Sequence, residues 1–159
     1  MVEMEKMVVP RLYCDDQRNE GDYVTAEKEY SAAILKLAAL AQGDTGGSRV
    51  AAQVLLSAYN GNDFQLNIVD LCNLDRGYYQ AALAVIRGRV ELGIEPQNLL
   101  KDGDRLFREL WKSWERYHVA NRGLPDCSLC HGSGLIYEDM NDETNHTREA
   151  CPQCGGRGY

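Results

Sequence analysis

Two cysteine pairs carry the clearest chemistry in this chain. Cys127-Ser-Leu-Cys130-His-Gly132-Ser-Gly134 and Cys151-Pro-Gln-Cys154-Gly-Gly156-Arg-Gly158 are one motif, C-x-x-C-x-G-x-G, written twice at an offset of 24. A C-x-x-C turn brings two sulfurs to one point. A second pair, separated from the first by 20 residues, completes a tetrahedral set. The spacing predicts one structural zinc ion held by Cys127, Cys130, Cys151 and Cys154. Rubredoxin-type iron, an iron–sulfur cluster and a dithiol redox pair stay open beside zinc, since such pairs serve them too. Four protein thiolates leave no position for water or substrate, which argues against a catalytic zinc.

The glycines fit the same reading. Past each knuckle the chain must reverse sharply so that backbone N–H groups face the sulfurs, and Gly132, Gly134, Gly156 and Gly158 stand where positive φ is needed. The insert reads as a hairpin. Leu135 to Tyr137 leads out, Met140 to Glu143 turns, and Thr147 to Ala150 returns. Glu138, Asp139, Asp142 and Glu143 make an acidic tip and a candidate partner-binding surface. Residues 127–159 hold five acids against Arg148 and Arg157, and four thiolates on a dication add a further double negative charge. That face should repel phosphates. His131 adjoins a ligand, and His146 reads as a surface residue of the hairpin.

No second constellation emerges. Asp15 and Asp16 discourage a thiolate at Cys14. Cys72 lies in an apolar context and reads as core. The chain has three histidines, and none completes a Cys/His or Ser/His/Asp set. No carboxylate pair forms an acid/base frame. The expectation is a protein that is not an enzyme.

At 159 residues, 44% hydrophobic and 26% charged, the chain suits one core-bearing domain plus a small appendage. A net charge of −7 disfavours nucleic acid and membrane surfaces as general partners and favours a protein. No apolar run reaches membrane-spanning length, and the first ten residues lack the pattern of a signal peptide. A cytosolic setting follows, and there paired cysteines read as metal ligands before disulfides.

The elements that must position the knuckles are helical. A first helix is predicted from Thr25, as N-cap, to Gln42, with Tyr30, Ile34, Leu37 and Ala41 on one face. A second, capped by Ser48, runs from Arg49 to Tyr59 and buries Val50, Val54, Leu55 and Ala58. Phe64, Leu66 and Ile68 alternate as in a strand, but with no partner strand evident the reading favoured is a short helical turn capped by Asn67. A third helix runs from Asp75 to Leu92, ends at Gly93, and presents Tyr79, Leu83, Ile86 and Val90 as its stripe. Pro96 opens a short helix. A fourth, from Asp104 as N-cap to Ala120, carries Phe107, Leu110, Trp111, Trp114 and His118. Its other side aligns Arg105, Arg108, Lys112 and Arg116, a basic stripe that is either a partner-binding surface or a solvated face paired with Glu109 and Glu115. Arg87 and Arg89 add charge on the third helix. The exposed aromatics of the fourth helix would permit a homo-oligomer.

The fold expected is mainly α: a small bundle of four or five helices followed by a C-terminal zinc-bound β-hairpin module. Residues 1–22 form a flexible arm, 23–123 the helical domain and 124–159 the tetracysteine module.

Three resemblances attach to these residues. The knuckles from Cys127 to Gly158 resemble the C-x-x-C-x-G-x-G zinc motif of J-domain chaperones. They are also similar to the knuckles of phage late antitermination proteins of the lambda Q type, which end in a G-x-G-Tyr like Gly156-Arg-Gly158-Tyr159. That likeness implies contact with DNA or RNA polymerase. The stretch Thr45-Gly-Gly-Ser-Arg-Val-Ala-Ala-Gln-Val-Leu-Leu-Ser-Ala-Tyr-Asn60, continuing through Val69 to Asp75, resembles a domain of unknown function from proteobacterial prophages and plasmids. It covers about residues 31–119 and implies a mobile-element setting in a bacterial cytosol. The function expected is a non-enzymatic zinc-binding interaction protein that modulates a host or phage macromolecule, a defence inhibitor being one form of it. The alternative is an antiterminator-type transcription regulator.

Overall fold

Helices form here where the sequence both supplies an apolar face and closes the open backbone groups at the ends. The structure, a computed structural model, describes residues 20–137 and 148–159. Helix α1 spans Glu20–Ala41 and buries Tyr30, Ile34, Leu37 and Ala41. It begins upstream of Thr25, whose hydroxyl donates to the Gly21 carbonyl inside the helix instead of capping it. The expected arm lies outside the described residues up to position 19. Helix α2 spans Gly46–Tyr59. Its cap is Thr45 rather than Ser48: the Thr45 hydroxyl accepts the Ser48 N–H at 3.1 Å, and Ser48 itself is buried.

Asn67 caps a 3-10 turn, Ile68–Asn73, by accepting the Val69 N–H. Cys72 at the end of that turn is exposed rather than core. Asp75 then caps α3, Arg76–Leu92, accepting the N–H groups of Gly77 and Tyr78, and Gly93 ends it at φ 68°. A second 3-10 turn, Pro96–Leu99, leads to α4, Gly103–Ser113.

Two expectations fail for physical reasons. The first is the face of α3. Its buried residues are Ala81, Ala82, Val85 and Gly88, while Tyr79 and Val90 are exposed. Small residues win because α1 packs directly on this helix. A Cβ on Gly88 would sit 2.3 Å from Cγ of Tyr30, so the Tyr30 ring lies where a side chain would be.

The second is the length of α4. Helical periodicity continues to His118, but the helix stops at Ser113 with Trp114 as its C-cap. The Trp114 indole N–H donates to the Ala41 carbonyl at 3.0 Å, and the Val119 N–H donates to the Asp63 carbonyl at 2.9 Å. These tertiary bonds draw the chain into two 3-10 turns, Glu115–Tyr117 and Val119–Asn121. At the other end Asp102, not Asp104, is the N-cap residue.

The protein is therefore mainly α, with, among the described residues, one two-stranded antiparallel sheet in its C-terminal module. Strand β1, Leu135–Tyr137, pairs with β2, Arg148–Ala150, with Leu135 opposite Ala150 and Tyr137 opposite Arg148. Among the described residues no helix is long and apolar enough to cross a membrane.

Candidate metal centre

Cys127, Cys130, Cys151 and Cys154 are all buried, and their four sulfurs lie within 4.8 Å of one another. The Cys127–Cys151 and Cys130–Cys154 sulfur separations are 3.8 and 3.7 Å. A tetrahedron with metal–sulfur bonds of about 2.3 Å has edges of about 3.8 Å. The four thiols therefore fit a single metal ion and could hold one. Among the described residues it is the one group of metal-ligating side chains so converged.

The two knuckles are equivalent residue by residue. The Gly134 N–H donates to the Cys130 sulfur at 3.2 Å, and the Gly158 N–H to the Cys154 sulfur at 3.2 Å. The Cys127 N–H donates to the Gly158 carbonyl and the Cys151 N–H to the Gly134 carbonyl, at 2.9 and 2.8 Å. The glycines interlock as well. A Cβ on Gly134 would meet the Gly156 carbonyl oxygen at 2.2 Å, and a Cβ on Gly158 would meet the Gly132 carbonyl oxygen at 2.4 Å. The second glycine of each knuckle is thus pressed against the first glycine of the other. All four have φ between 75° and 85°. His131 also takes a positive φ, 51°. It is exposed, and it stands at the position that Gly155 fills in the second knuckle.

The thiols respond unequally to this setting. Backbone N–H donation at Cys130 lowers the Cys127 thiol against the opposing effect of burial. Burial pushes Cys151 up to about 11. Burial also acts against Cys154, but the Gly158 N–H and the neighbouring thiols bring it down to about 6. A dication at their centre would hold all four as thiolates.

The module is fastened to the helical part by side chains whose role the sequence does not announce. Arg116, expected on the basic stripe, lies beyond the end of α4. Its guanidinium donates to the Asn121 and Leu124 carbonyls and to the Asp126 carboxylate. It also lies 5.8 Å from the centre of the Tyr159 ring. The Tyr159 hydroxyl accepts from the Asn121 side-chain amide at 3.1 Å. On the hairpin, Arg148 pairs with Asp44 of the α1–α2 connection at 2.6 Å. The only sequence clue to Arg116 was its spacing from Lys112, which suggested a shared helix instead.

Arg105, Arg108 and Lys112 do share an exposed side of α4, and Arg105 lies 3.9 Å from Glu109. Arg87 pairs with Glu91, and Arg89 donates to the Ala58 and Gly93 carbonyls. His118 faces Asp63 at 3.4 Å and packs edge-on against Phe64. Glu138, Asp139, Asp142, Glu143, His146 and Cys14 lie outside the described residues.

The sequence profile of DUF7673, described as a family of unknown function, matches residues 31–115. The chain belongs to this family. The DUF7673 segment takes in the second half of α1 and all of α2, α3 and α4, so the helical core is the family's part and the knuckles lie outside it. No curated protein and no solved structure matches the chain. The likeness of the knuckles to J-domain and antitermination proteins thus rests on the motif alone.

Proposed function

We propose that this is a non-enzymatic zinc-holding interaction protein. One zinc ion closes the two knuckles, and the helical part and the hairpin offer binding surface to a protein partner. The observation that carries this reading is the convergence of four buried sulfurs at tetrahedral spacing. Such a set fills the coordination sphere and leaves no position for a substrate. The sulfurs also sit within a clip whose base is tied to the helices through Arg116, Tyr159 and Arg148, which is the placement of a structural ion. The likeness of the helical segment to prophage and plasmid domains supports a mobile-element setting in a bacterial cytosol, with a host or phage macromolecule as the thing modulated.

An antiterminator-type regulator is the second reading, supported by Arg105, Arg108 and Lys112 on one exposed face. The test is elemental analysis of the purified protein together with affinity capture from the native host, comparing the intact chain with a Cys151→Ser/Cys154→Ser variant. About one zinc per chain and a specific captured protein are expected. A folded C-terminal module without metal would sink the zinc assignment. Salt-dependent binding to duplex DNA would move the function to the second reading.

A further inference from the structure

A cleft of about 430 Å³ opens between the end of α2 and α4, lined by Tyr59, Phe107, Arg108 and Trp111. Its size is that of a small-ligand site, roughly 300–1,000 Å³. Phe107 is fully buried and tilted against Tyr59, their centres 5.1 Å apart. Tyr59 and Trp111 are half-buried and meet at 89°, their centres 6.3 Å apart. The part-exposed rings of Tyr59 and Trp111, backed by the buried Phe107, thus make an apolar seat open to solvent. Arg108 stands exposed at its edge, and Lys112 follows one turn along α4, also exposed. Neither has an acidic partner among the described residues. Two unpaired cations beside an open aromatic seat run against the sign of a chain whose net charge is −7.

We propose that this cleft docks a short acidic segment of a partner protein. An aromatic or aliphatic side chain sits on Tyr59 and Trp111, and flanking carboxylates pair with Arg108 and Lys112. The proposal rests on the interaction-protein reading and names the chemistry of the partner. Aromatic faces and cations also suit single-stranded nucleic acid. The charges favour the peptide. Asp104 and Glu109 share the exposed side of α4 and cost either ligand, and Arg105 is held near Glu109, which leaves Arg108 and Lys112 as the two cations that count. Two cations can satisfy a pair of carboxylates, but they make a short track for a polyphosphate chain.

The test uses the full zinc-loaded protein and fluorescence anisotropy with three labelled probes: the peptide Asp-Glu-Phe-Glu-Asp, its amide counterpart Asn-Gln-Phe-Gln-Asn, and an oligothymidylate. Saturable binding of the acidic peptide is expected, weakened about tenfold or more by Arg108→Glu and by the amide substitution. Lys112→Glu is expected to weaken it to a smaller degree. Both residues are exposed, so circular dichroism of the variants should match the parent. No saturable binding, equal binding of the amide peptide, indifference to Arg108→Glu, or preference for oligothymidylate would each overturn the proposal. If the intact chain still captures a host protein after such a result, the interaction reading stands and its surface lies elsewhere.

Discussion

The guanidinium of Arg116 lies over the ring of Tyr159, 5.8 Å from its centre, and binds the helical part to the end of the second knuckle. The same group also donates to two backbone carbonyls and to Asp126. Its side chain is only 17% exposed, so removal takes away a packed fastener and leaves the part-buried Asn121 carbonyl without this donor. Arg116→Ala should lower stability by about 1–3 kcal/mol in urea unfolding. Arg116→Lys should recover little, because an ammonium cannot reach all the acceptors that the planar fork spans. Full recovery by lysine would show that charge alone matters there.

The interlocked glycines make a contrast that separates steric from conformational demands. Gly134→Ala and Gly158→Ala place a methyl 2.2 and 2.4 Å from a backbone oxygen of the opposite knuckle. Gly155 has φ +61° but nothing within 4 Å, so Gly155→Ala meets only the left-handed penalty of about 1–2 kcal/mol. Competition with a chromophoric chelator should show zinc affinity falling much further for the first two variants than for the third. Equal losses would mean that the interlock does not matter.

Metal removal should be a local event. The helical core around Tyr30, Ile34, Leu55 and Phe107 shares no residue with the cysteine cluster. Chelation should therefore make the four cluster thiols reactive towards Ellman's reagent while the helical circular dichroism persists. Loss of the helices together with the metal would contradict this separation.

Gly88→Ala tests the close approach of α1 and α3. The change gains about 1 kcal/mol of helix propensity. It also puts a methyl inside the Tyr30 ring contact, 2.3 Å from Cγ, and overpacking of this kind typically costs about 1–3 kcal/mol. Net destabilisation is expected. The Tyr30→Ala/Gly88→Ala double variant should lose less than the sum of the single changes.

Tyr30 also gives a pH signature. Burial raises its hydroxyl to about 12, against the opposing pull of Arg89, while an unfolded tyrosine titrates near 10. The unfolded chain loses this proton first. The stability contribution is present below about pH 10 and is lost as pH rises towards 12. Tyr30→Phe should flatten the stability curve over that alkaline window, and an unchanged slope would show that Tyr30 is not its source.

Much of this was legible in the residues. Asn67 and Gly93 act as the sequence suggested, since caps and stops are local devices, and Asp75, read as the first residue of α3, is its cap. The knuckles were legible because a metal site imposes ligand type and spacing within a few residues. The face of α3 was not. Its packing is made by Ala81, Ala82 and Gly88, and a search for large apolar side chains finds Tyr79 and Val90 on the outside instead. The end of α4 was equally hidden, since Trp114 and Val119 are drawn away by Ala41 and Asp63, residues remote in sequence. Arg116 followed from that error: once the helix stops, the fourth member of the stripe becomes a fastener.

The reciprocal bonding of the knuckles has a consequence for how this module can vary. Among the described residues the bonds that set the sulfur positions lie at its base, among Cys127 to Gly134 and Cys151 to Gly158, and the strands leave that base paired from Leu135 opposite Ala150 to Tyr137 opposite Arg148. The four cysteines all belong to the base. The base is in effect a display frame: another peptide grafted across those two positions would inherit the metal, the pairing and the attachment to the helices unchanged.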